Sequence, residues 1–397
     1  MKYAIIIPDG AADEPIDDLN GRTCLEAAKI PNMDWIAANG KCGTVKNVPR
    51  QLPPGSDVAI LSLLGFDPRE YYTGRAPLEA AAQGLSVEPD EWIFRCNFVT
   101  LIENRMEDYS AGHISTEEGA ALITELNRVL SGPHLKFYPG VSYRHLMTCK
   151  ADVEGLKTTP PHDIPGKPID SYLPTGPGAE TIATLVERSW DILPDHDINV
   201  VRRDLGENPA TSIWLWGQGK MPQLPTYKEV YGLKGAAITA VDLVRGISKL
   251  IDWDLIEVEG ATGYLDTNYA GKGAAAVEAL EEYDIVCVHV EAPDEAGHIG
   301  NAAAKIEAIE QIDKHVVGPV LKGLKASGED WRILVLPDHP TPCNVRTHTR
   351  DAVPFALAGE GVIKVVATAF SESAAAESDL HIPRGHELME YFLTVRT

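Results

Sequence analysis

Short, continuous apolar runs alternate with longer segments of three-to-four periodicity in the first and last parts of the chain. Residues 3–7 form the first run, and residues 285–290 and 332–336 form two more. Residues 353–358 and 362–367 are further candidates. Runs this short predict buried strands, and the periodic segments between them predict helices. The alternation predicts an α/β fold with a mostly parallel sheet that helices cover on both faces.

Helical periodicity is clearest in three segments of these outer parts. Residues 23–39 read as a helix that breaks and restarts at Pro31, and residues 57–64 read as a short buried helix. Residues 301–326 carry Ile, Val and Leu at three-to-four spacing throughout. We therefore expect one long helix over 301–326.

The middle of the chain has a different pattern, with more proline and more frequently interrupted apolar runs. A Ser-x-x-Glu capping box at Ser115 predicts the start of one helix, and a second helix is expected over 179–190. The strand candidates here are 93–102, 135–138, 143–149, 198–202 and 211–216. We predict a core domain made of residues 1–86 and 230–397, with a smaller α+β domain of residues 87–229 inserted into it.

Composition narrows the choice of partners and compartment. Asp and Glu outnumber Lys and Arg by 58 to 35, a net charge of −23, which argues against nucleic acid or an anionic membrane as a partner. The sequence has no apolar run long enough to span a bilayer, and its N-terminus turns acidic too soon for a signal peptide. The 6 cysteines form no CxxC pair, which fits a reducing cytoplasm.

Carboxylate and imidazole side chains follow three of the predicted strands at their carboxyl ends. They are Asp9, Asp294, His298, Asp338 and His339, and His348 lies in the loop that follows. In open α/β sheets the carboxyl edge of the strands is where ligands bind. Asp and His suit Mn²⁺, Zn²⁺ and similar ions, so the pattern predicts a centre of two divalent cations.

Ser56, in the sequence Pro-Pro-Gly-Ser-Asp, is the candidate nucleophile. We expect it to be the N-cap of the 57–64 helix, where backbone N–H groups favour an anion. Such a serine is usually only a cap, and Asp-x-x-x-His is often only a surface pair. The joint placement of these residues favours metal-assisted phosphoryl transfer through Ser56.

These motifs resemble those of the 2,3-bisphosphoglycerate-independent phosphoglycerate mutases, in particular the archaeal-type branch, which belong to the alkaline phosphatase superfamily. The resemblance covers essentially the whole chain. The segments that carry it are Ile-Pro-Asp-Gly (7–10), Pro-Pro-Gly-Ser-Asp-Val-Ala (53–59), Tyr-Ser-Ala-Gly-His (109–113), Pro-His-Asp-Ile-Pro-Gly-Lys (161–167), Trp-Leu-Trp-Gly-Gln-Gly (214–219), Ala-Pro-Asp-Glu-Ala-Gly-His (292–298) and Leu-Pro-Asp-His (336–339).

The resemblance implies an isomerase of glycolysis and gluconeogenesis that interconverts 2- and 3-phosphoglycerate through a phosphoserine at Ser56. It implies an alkaline-phosphatase-like three-layer α/β/α core, two divalent cations and no requirement for 2,3-bisphosphoglycerate. One cation would be held by Asp9, Ser56, Asp338 and His339, and the other by Asp294, His298 and His348. Mn²⁺ is the first choice of ion, with Zn²⁺, Co²⁺ and Mg²⁺ as alternatives.

The same resemblance implies that the inserted domain binds the small anionic substrate and closes to exclude water. Its candidate residues are His113, Arg144, His162, Asp163, Arg202 and Arg203, with Lys234 and Arg245 from the segment that follows.

Two alternatives remain open on the sequence. One is a phosphatase or another phosphotransferase on the same scaffold, such as a phosphopentomutase-like enzyme or the provisional homoserine kinases. The sequence has no GxxxxGK[ST] loop, which disfavours the kinase. The other is a metal-binding protein without turnover, which a missing nucleophile or ligand would have favoured.

Overall fold

Two groups of secondary-structure elements make up the computed structural model, which describes residues 1–364 and 369–394. The first unit combines Met1–Tyr72 with Gln223–Thr397, and the second is Thr73–Pro222. The sequence placed the boundaries at 86/87 and 229/230. The first falls earlier because the helix Arg75–Gln83 packs within the second unit, on Ile93 and Leu146. The second falls earlier because Tyr227 packs against Trp253 within the first unit.

The strands follow one another along both units. In chain order they are β1 (Lys2–Pro8), β2 (Lys41–Val45), β3 (Trp92–Ile102), β4 (Arg105–Asp108), β5 (Leu135–Tyr138), β6 (Arg144–Cys149), β7 (Ser212–Gly219), β8 (Gly235–Ile238), β9 (Asp254–Leu255), β10 (Ile285–Val290), β11 (Trp331–Val335), β12 (Val353–Gly359) and β13 (His381–Ile382).

The α-helices lie between them. In chain order they are α1 (Cys24–Ala27), α2 (Pro31–Ala38), α3 (Ser56–Leu63), α4 (Pro68–Tyr71), α5 (Arg75–Gln83), α6 (Thr116–Leu130), α7 (Ala179–Trp190), α8 (Asp197–Asp204), α9 (Tyr227–Tyr231), α10 (Asp242–Leu250), α11 (Tyr269–Glu282), α12 (Ala292–His298), α13 (Ala302–Ile312), α14 (Gly318–Ala326), α15 (Glu372–Ala376) and α16 (Glu387–Thr394). No helix within 1–364 and 369–394 is both long and apolar enough to cross a membrane.

The sheet of the first unit has the strand order β13-β2-β12-β11-β1-β10-β8-β9. Strand β1 lies at its centre, with Ile6 opposite Val288 of β10 and Val335 of β11, both in parallel register. Strand β12 runs antiparallel to both of its neighbours, and the other pairs are parallel. The predicted mostly parallel sheet is therefore confirmed.

Helices cover both faces of this sheet. Ala4 and Ile6 of β1 point into a core formed with α1, α2, α11, α13 and α14. The alternate residues of β1 point the other way, and Tyr3 packs edge-on against Phe392 of α16, with ring centroids 5.6 Å apart. A central strand buried on both sides explains why residues 3–7 are continuously apolar.

The second unit is built on an antiparallel sheet in which β3 pairs with β4, β6 and β7, and β6 pairs with β5. Helices α6 and α7 pack on it around Phe94, Phe98 and Phe137. Both helices lie where the sequence predicted them, and Ser115 forms the expected capping box with Glu118.

Three predicted elements differ in the structure. Residues 198–202 form helix α8 rather than a strand, because the His196 side chain accepts a hydrogen bond from the Ile198 N–H and caps the helix. Asn199 and Arg202, three residues apart, are the buried positions, as on one face of a helix.

The predicted 301–326 helix is interrupted by a π-helical turn at Asp313–Val317. The Asp313 carboxylate accepts hydrogen bonds from the backbone N–H groups of Asn32 and Met33, which ties this turn to the start of α2.

Of the predicted 362–367 strand, residues 362–364 are not in a strand, and the rest lies outside the described residues.

Candidate metal centre

The carboxyl ends of three adjacent parallel strands place the predicted ligands side by side. Asp9 follows β1 directly, Asp294 lies in the first turn of α12 after β10, and Asp338 and His339 follow β11. Because β1 pairs with both β10 and β11 in parallel, these three strand ends meet at one edge of the sheet. The sequence predicted these side chains at this edge of the sheet, and the structure places them there.

One group of side chains surrounds the Ser56 hydroxyl. Ser56 Oγ lies 3.3 Å from Asp9 Oδ2 and 3.1 Å from His339 Nε2. His339 Nε2 is also 3.5 Å from Asp9 Oδ1 and 3.3 Å from Asp338 Oδ2. All four side chains are buried.

A second group adjoins it. Asp294 Oδ2 lies 3.1 Å from His298 Nε2, and Asp294 Oδ1 lies 3.5 Å from His348 Nε2. The Nε2 atoms of His298 and His348 are 3.0 Å apart. Potential ligand atoms of Asp294, His339 and His348 all lie within 4.8 Å of one another, so His339 belongs to both groups.

Two carboxylate oxygens in this centre have no hydrogen-bond partner among the described residues. They are Asp9 Oδ1 and Asp338 Oδ2, both buried. A buried, unpaired carboxylate oxygen is costly unless a cation approaches it. Burial, followed by the charges of Asp338 and Asp294, raises the pKa of Asp9 well above its usual range. The unpaired oxygens and the Asp/His donor set fit divalent cations.

Side chains that the sequence analysis missed hold these groups in place. His289 Nε2 lies 2.8 Å from Asp9 Oδ2, and the Thr239 hydroxyl lies 3.1 Å from His289 Nδ1. The Thr341 hydroxyl donates to Asp294. Asn47 Nδ2 donates to the Asp338 carbonyl oxygen over 2.7 Å. A histidine inside the apolar run 285–290 was a signal for such a role, since an unpaired polar group is rarely buried in a strand.

Gly10 lets the two ligand-bearing strand ends approach each other. Its φ is +61°, and a Cβ atom there would lie 2.6 Å from Asp294 Oδ1 and 2.7 Å from Thr341 Oγ1. Its N–H donates to Asp338 Oδ1 over 3.1 Å. Both the conformation and the space therefore require glycine.

Ser56 is the first residue of α3, and Gly55, not Ser56, is the N-cap. The predicted capping role is wrong because the Ser56 hydroxyl points to Asp9 and His339 instead of to a backbone N–H. The hydroxyl is therefore directed into the carboxylate–histidine centre.

In the second unit, strand pairing assembles a cluster of cationic and aromatic side chains. The guanidinium of Arg95 lies over the ring of Trp216, 4.2 Å from its centroid, and forms an ion pair of 3.1 Å with Glu79. His162 packs edge-on against Trp216 at 5.3 Å. Burial lowers the pKa of Arg95, and the nearby charges of Arg75 and Arg144 lower it further.

Two of these residues, Arg144 and His162, were predicted from the sequence, whereas Arg75 and Arg95 were missed. The signal for Arg95 was a charged residue inside the apolar strand 93–102, because arginine is rarely buried unless it is paired. Asp163, which was also predicted, is largely exposed and lies 3.9 Å from His162 Nε2. The His113 ring packs edge-on against Tyr143 at 6.0 Å, next to Arg144.

The other predicted substrate residues are engaged elsewhere. Arg202 is buried in ion pairs of 3.0 Å with Glu118 and Glu207 and donates to the Ala111 carbonyl oxygen, so it holds the start of α6 and the loop before it. Arg203 donates to the carbonyl oxygen of Pro194.

In the first unit, Lys234 precedes β8, at the opposite end of that strand from the sheet edge with the metal centre, and its ammonium bonds Glu282 over 2.6 Å. Arg245 donates to Glu257 over 3.1 Å. The structure therefore brings neither Lys234 nor Arg245 to the centre.

Comparison with known proteins points to a single family. Residues 37–199 match a family model described as 2,3-bisphosphoglycerate-independent phosphoglycerate mutase. A protein of that name from Methanothrix thermoacetophila is 51% identical over 393 residues, which cover 99% of this chain and 100% of the relative. The chain belongs to the 2,3-bisphosphoglycerate-independent phosphoglycerate mutase family.

Solved structures share the fold of this chain. The PH0037 protein of Pyrococcus horikoshii superposes with a TM-score of 0.83 at 32% identity and covers 99% of this chain and 96% of its own. The cofactor-independent phosphoglycerate mutase of Thermoplasma acidophilum gives a TM-score of 0.68 at 28% identity, with 99% of each chain covered. The family and the fold that the resemblance implied are confirmed.

Proposed function

We propose that this enzyme interconverts 2- and 3-phosphoglycerate by way of a phosphoserine at Ser56, without 2,3-bisphosphoglycerate. The family assignment supports the reaction. The observation that carries the mechanism is the position of Ser56 Oγ, within 3.3 Å of Asp9 and 3.1 Å of His339. A hydroxyl directed into a carboxylate–histidine centre is suited to act as a nucleophile.

We assign two divalent cations to the centre. Asp9, Ser56, Asp338 and His339 would hold one, and Asp294, His298 and His348 the other. The mixed oxygen and nitrogen donors are compatible with Mn²⁺, Zn²⁺, Co²⁺ or Mg²⁺, and we propose Mn²⁺. When bound, the cations supply positive charge that favours the ionised hydroxyl and neutralises the phosphoryl oxygens.

The reaction is then a pair of phosphoryl transfers at Ser56. In the first, Ser56 Oγ loses its proton and bonds to phosphorus while the bond from phosphorus to the 3-oxygen of the substrate breaks, and that oxygen takes up a proton. In the second, the 2-hydroxyl of the retained glycerate loses its proton and bonds to phosphorus while the bond to Ser56 Oγ breaks, and Ser56 Oγ takes up a proton. Because Ser56 begins α3, the backbone N–H groups of that helix end favour the phosphoryl anion.

We further propose that the cationic cluster of the second unit binds the negative charges of the substrate. Arg144, Arg95, Arg75 and His162 are the residues we assign to this role. Arg144 supports the assignment best, since no ion pair holds its side chain among residues 1–364 and 369–394, and it is exposed. A guanidinium matches the geometry of both carboxylate and phosphate.

Glycolytic chemistry also leads us to propose a cytoplasmic location. The 6 cysteines are unpaired and buried, which agrees with a reducing compartment. A phosphatase or kinase is not favoured, because relatives about 51% identical over nearly the whole chain are named phosphoglycerate mutases.

The deciding experiment follows both possible products. Metal-loaded enzyme is incubated with 3-phosphoglycerate, and 2-phosphoglycerate and free phosphate are measured without added 2,3-bisphosphoglycerate. We expect 2-phosphoglycerate with little free phosphate. Free phosphate as the main product would make the enzyme a phosphatase instead.

The metal assignment has its own test. Prolonged treatment with a chelator should abolish mutase activity, and Mn²⁺ or Co²⁺ should restore it. Undiminished activity after the metal content has been shown to be negligible would contradict the two-cation centre.

A further inference from the structure

A cavity of about 220 Å³ in the first unit is lined by an unusual set of charges. Its basic lining residues are Lys46, Arg50, Arg69, Arg384 and His386. No Asp or Glu is among the lining residues in the described part of the chain. Since acidic residues outnumber basic ones by 58 to 35 overall, composition alone does not explain a cavity lined by cations.

Nearby carboxylates neutralise only part of this charge. Asp67 accepts hydrogen bonds from Arg69 Nε and lies 3.9 Å from His386 Nε2. Glu387 pairs with Arg384. Within residues 1–364 and 369–394, Lys46 and Arg50 have no ion pair and no side-chain hydrogen bond, so both cations are available to a ligand.

Backbone contacts hold the walls of the cavity together. The Lys46 N–H donates to the Ile382 carbonyl oxygen, and the Gly385 N–H donates to the Lys46 carbonyl oxygen over 2.9 Å. A Cβ atom on Gly385 would lie 2.5 Å from both Asn47 Oδ1 and Ser62 Oγ. Packing this close fixes the loop after β2 against the segment after β13, so the cavity does not need a ligand to form.

The cavity opens at the same sheet edge as the metal centre but is built from other residues. Strand β2 is antiparallel to β12, which is antiparallel to β11, so β2 runs in the same direction as β1. Lys46 therefore leaves the sheet at the edge where Asp9 does. The neighbouring Asn47 donates to the Asp338 carbonyl oxygen, and Ser62 lies on the helix that Ser56 begins.

We propose that this cavity binds a small, multiply charged oxyanion of the phosphate or sulfate class, at a site separate from the metal centre. Unpaired arginine and lysine side chains form strong charge-assisted hydrogen bonds to tetrahedral oxyanions. The volume admits a single such group and little more. The proposal does not depend on the mutase reaction.

The test is calorimetric titration of the metal-loaded, full-length enzyme with sodium sulfate at constant ionic strength. Lys46→Ala/Arg50→Ala is compared with Lys314→Ala/Lys322→Ala, which removes the same charge from exposed lysines of the same unit. We expect the first variant to bind sulfate about tenfold more weakly or worse and the second to bind it like the wild type. Mutase activity without sulfate should be retained in both variants.

Other results would overturn the proposal. One is wild-type affinity for sulfate in Lys46→Ala/Arg50→Ala, and another is an equal loss of sulfate affinity in both variants. A third is sulfate inhibition that is purely competitive with 3-phosphoglycerate and unchanged in Lys46→Ala/Arg50→Ala. Arg50→Gln alone replaces an exposed side chain and decides the matter if the double variant does not fold. A parallel titration with glycerol 2-phosphate separates a site for a free inorganic anion from one that accepts the phosphoryl group of a metabolite.

Discussion

The metal centre of the first unit and the cationic cluster of the second are positioned by different features of their sheets. In the centre, Asp9, Asp294 and Asp338 follow the ends of parallel strands, so chain direction alone brings them to one edge. In the cluster, Arg95 and Trp216 are directly opposite each other on antiparallel strands, and Arg144 is opposite Asn97. There the pairing register and the strand face decide which side chains meet.

This difference explains which residues a sequence reveals. A strand end is visible as the place where an apolar run gives way to a polar residue. A register is not visible, because it depends on two strands that are far apart in sequence. If this comparison is right, the chemical step should depend on the strand-end residues. The strand-face residues should affect only the affinity for substrate.

The largest effect is expected for Ser56→Ala. Loss of the nucleophile should lower mutase activity about 10³-fold or more, with the thermal unfolding midpoint close to that of the wild type. Ser62→Ala, on the same helix, is the matched control and should stay active. Substantial turnover by Ser56→Ala would mean that the strand-end centre does not carry the chemistry as proposed.

Gly10→Ala should be the next most damaging change. The added Cβ would press on Asp294 Oδ1 and Thr341 Oγ1, so we expect weaker metal binding and lower activity, measured by metal titration and initial rates. Gly21→Ala is the control, because Gly21 also has a positive φ, +74°, but a Cβ there meets nothing within 4 Å. Gly21→Ala should show only the backbone cost, about 1–2 kcal/mol. Equal losses of metal affinity in the two variants would show that crowding at Gly10 is unimportant.

A smaller and different effect is expected in the cluster. Arg144→Ala should raise KM for 3-phosphoglycerate about tenfold or more while changing kcat less, because it removes a contact to the substrate and not to the reacting atoms. Arg203→Ala, in the same unit but bonded to the Pro194 carbonyl oxygen, should leave KM nearly unchanged. The assignment fails if the two variants have the same KM.

The smallest expected effects are on the pH dependence of stability, which differs between the two units. Burial lowers the pKa of His145 in the second unit to about 3, from an ordinary value of 6.5. The folded state therefore holds the neutral ring, and stability is complete above pH 6.5 and falls as the pH drops below it. Between pH 6.5 and 5 the loss should be about 2 kcal/mol, measured by hydrogen exchange of β6 amides. His145→Gln should flatten this dependence, and an unchanged slope would contradict the buried neutral state.

Glu372 in the first unit should give stability the opposite dependence on pH. Burial raises its pKa from 4.5 to about 7, although Thr23 and the Asp13 N–H donate to it. Its neutral form is favoured in the folded state, so stability is greatest below pH 4.5 and falls as the pH rises through 7. Glu372→Gln should lessen the fall in hydrogen-exchange protection of α15 between pH 5 and 8. The same slope in Glu372→Gln and the wild type would assign the pH dependence to another group.

The errors of the sequence analysis lie away from the strand ends that form the metal centre. Each strand that ends at the metal centre was found, because its apolar run is continuous. Residues 198–202 were predicted to be a strand, but the capping role of His196 and the spacing of Asn199 and Arg202 favour a helix. The π-helical turn at Asp313 depends on contacts to residues about 280 positions earlier, which no local pattern records. Arg202 was predicted from the resemblance to bind substrate, whereas its ion pairs with Glu118 and Glu207 give it a structural role.

The central position of β1 has a consequence for how the chain is made. Tyr3 pairs with Ile285 and Arg332, so β1 leaves the ribosome more than 270 residues before either of its partner strands. Residues Thr73–Pro222, whose strands pair with one another, can fold during that interval. The apolar segment 3–7 must stay unpaired meanwhile, and such segments are prone to aggregate. The nascent chain should therefore depend on chaperones most strongly between the synthesis of β1 and the emergence of β10 and β11.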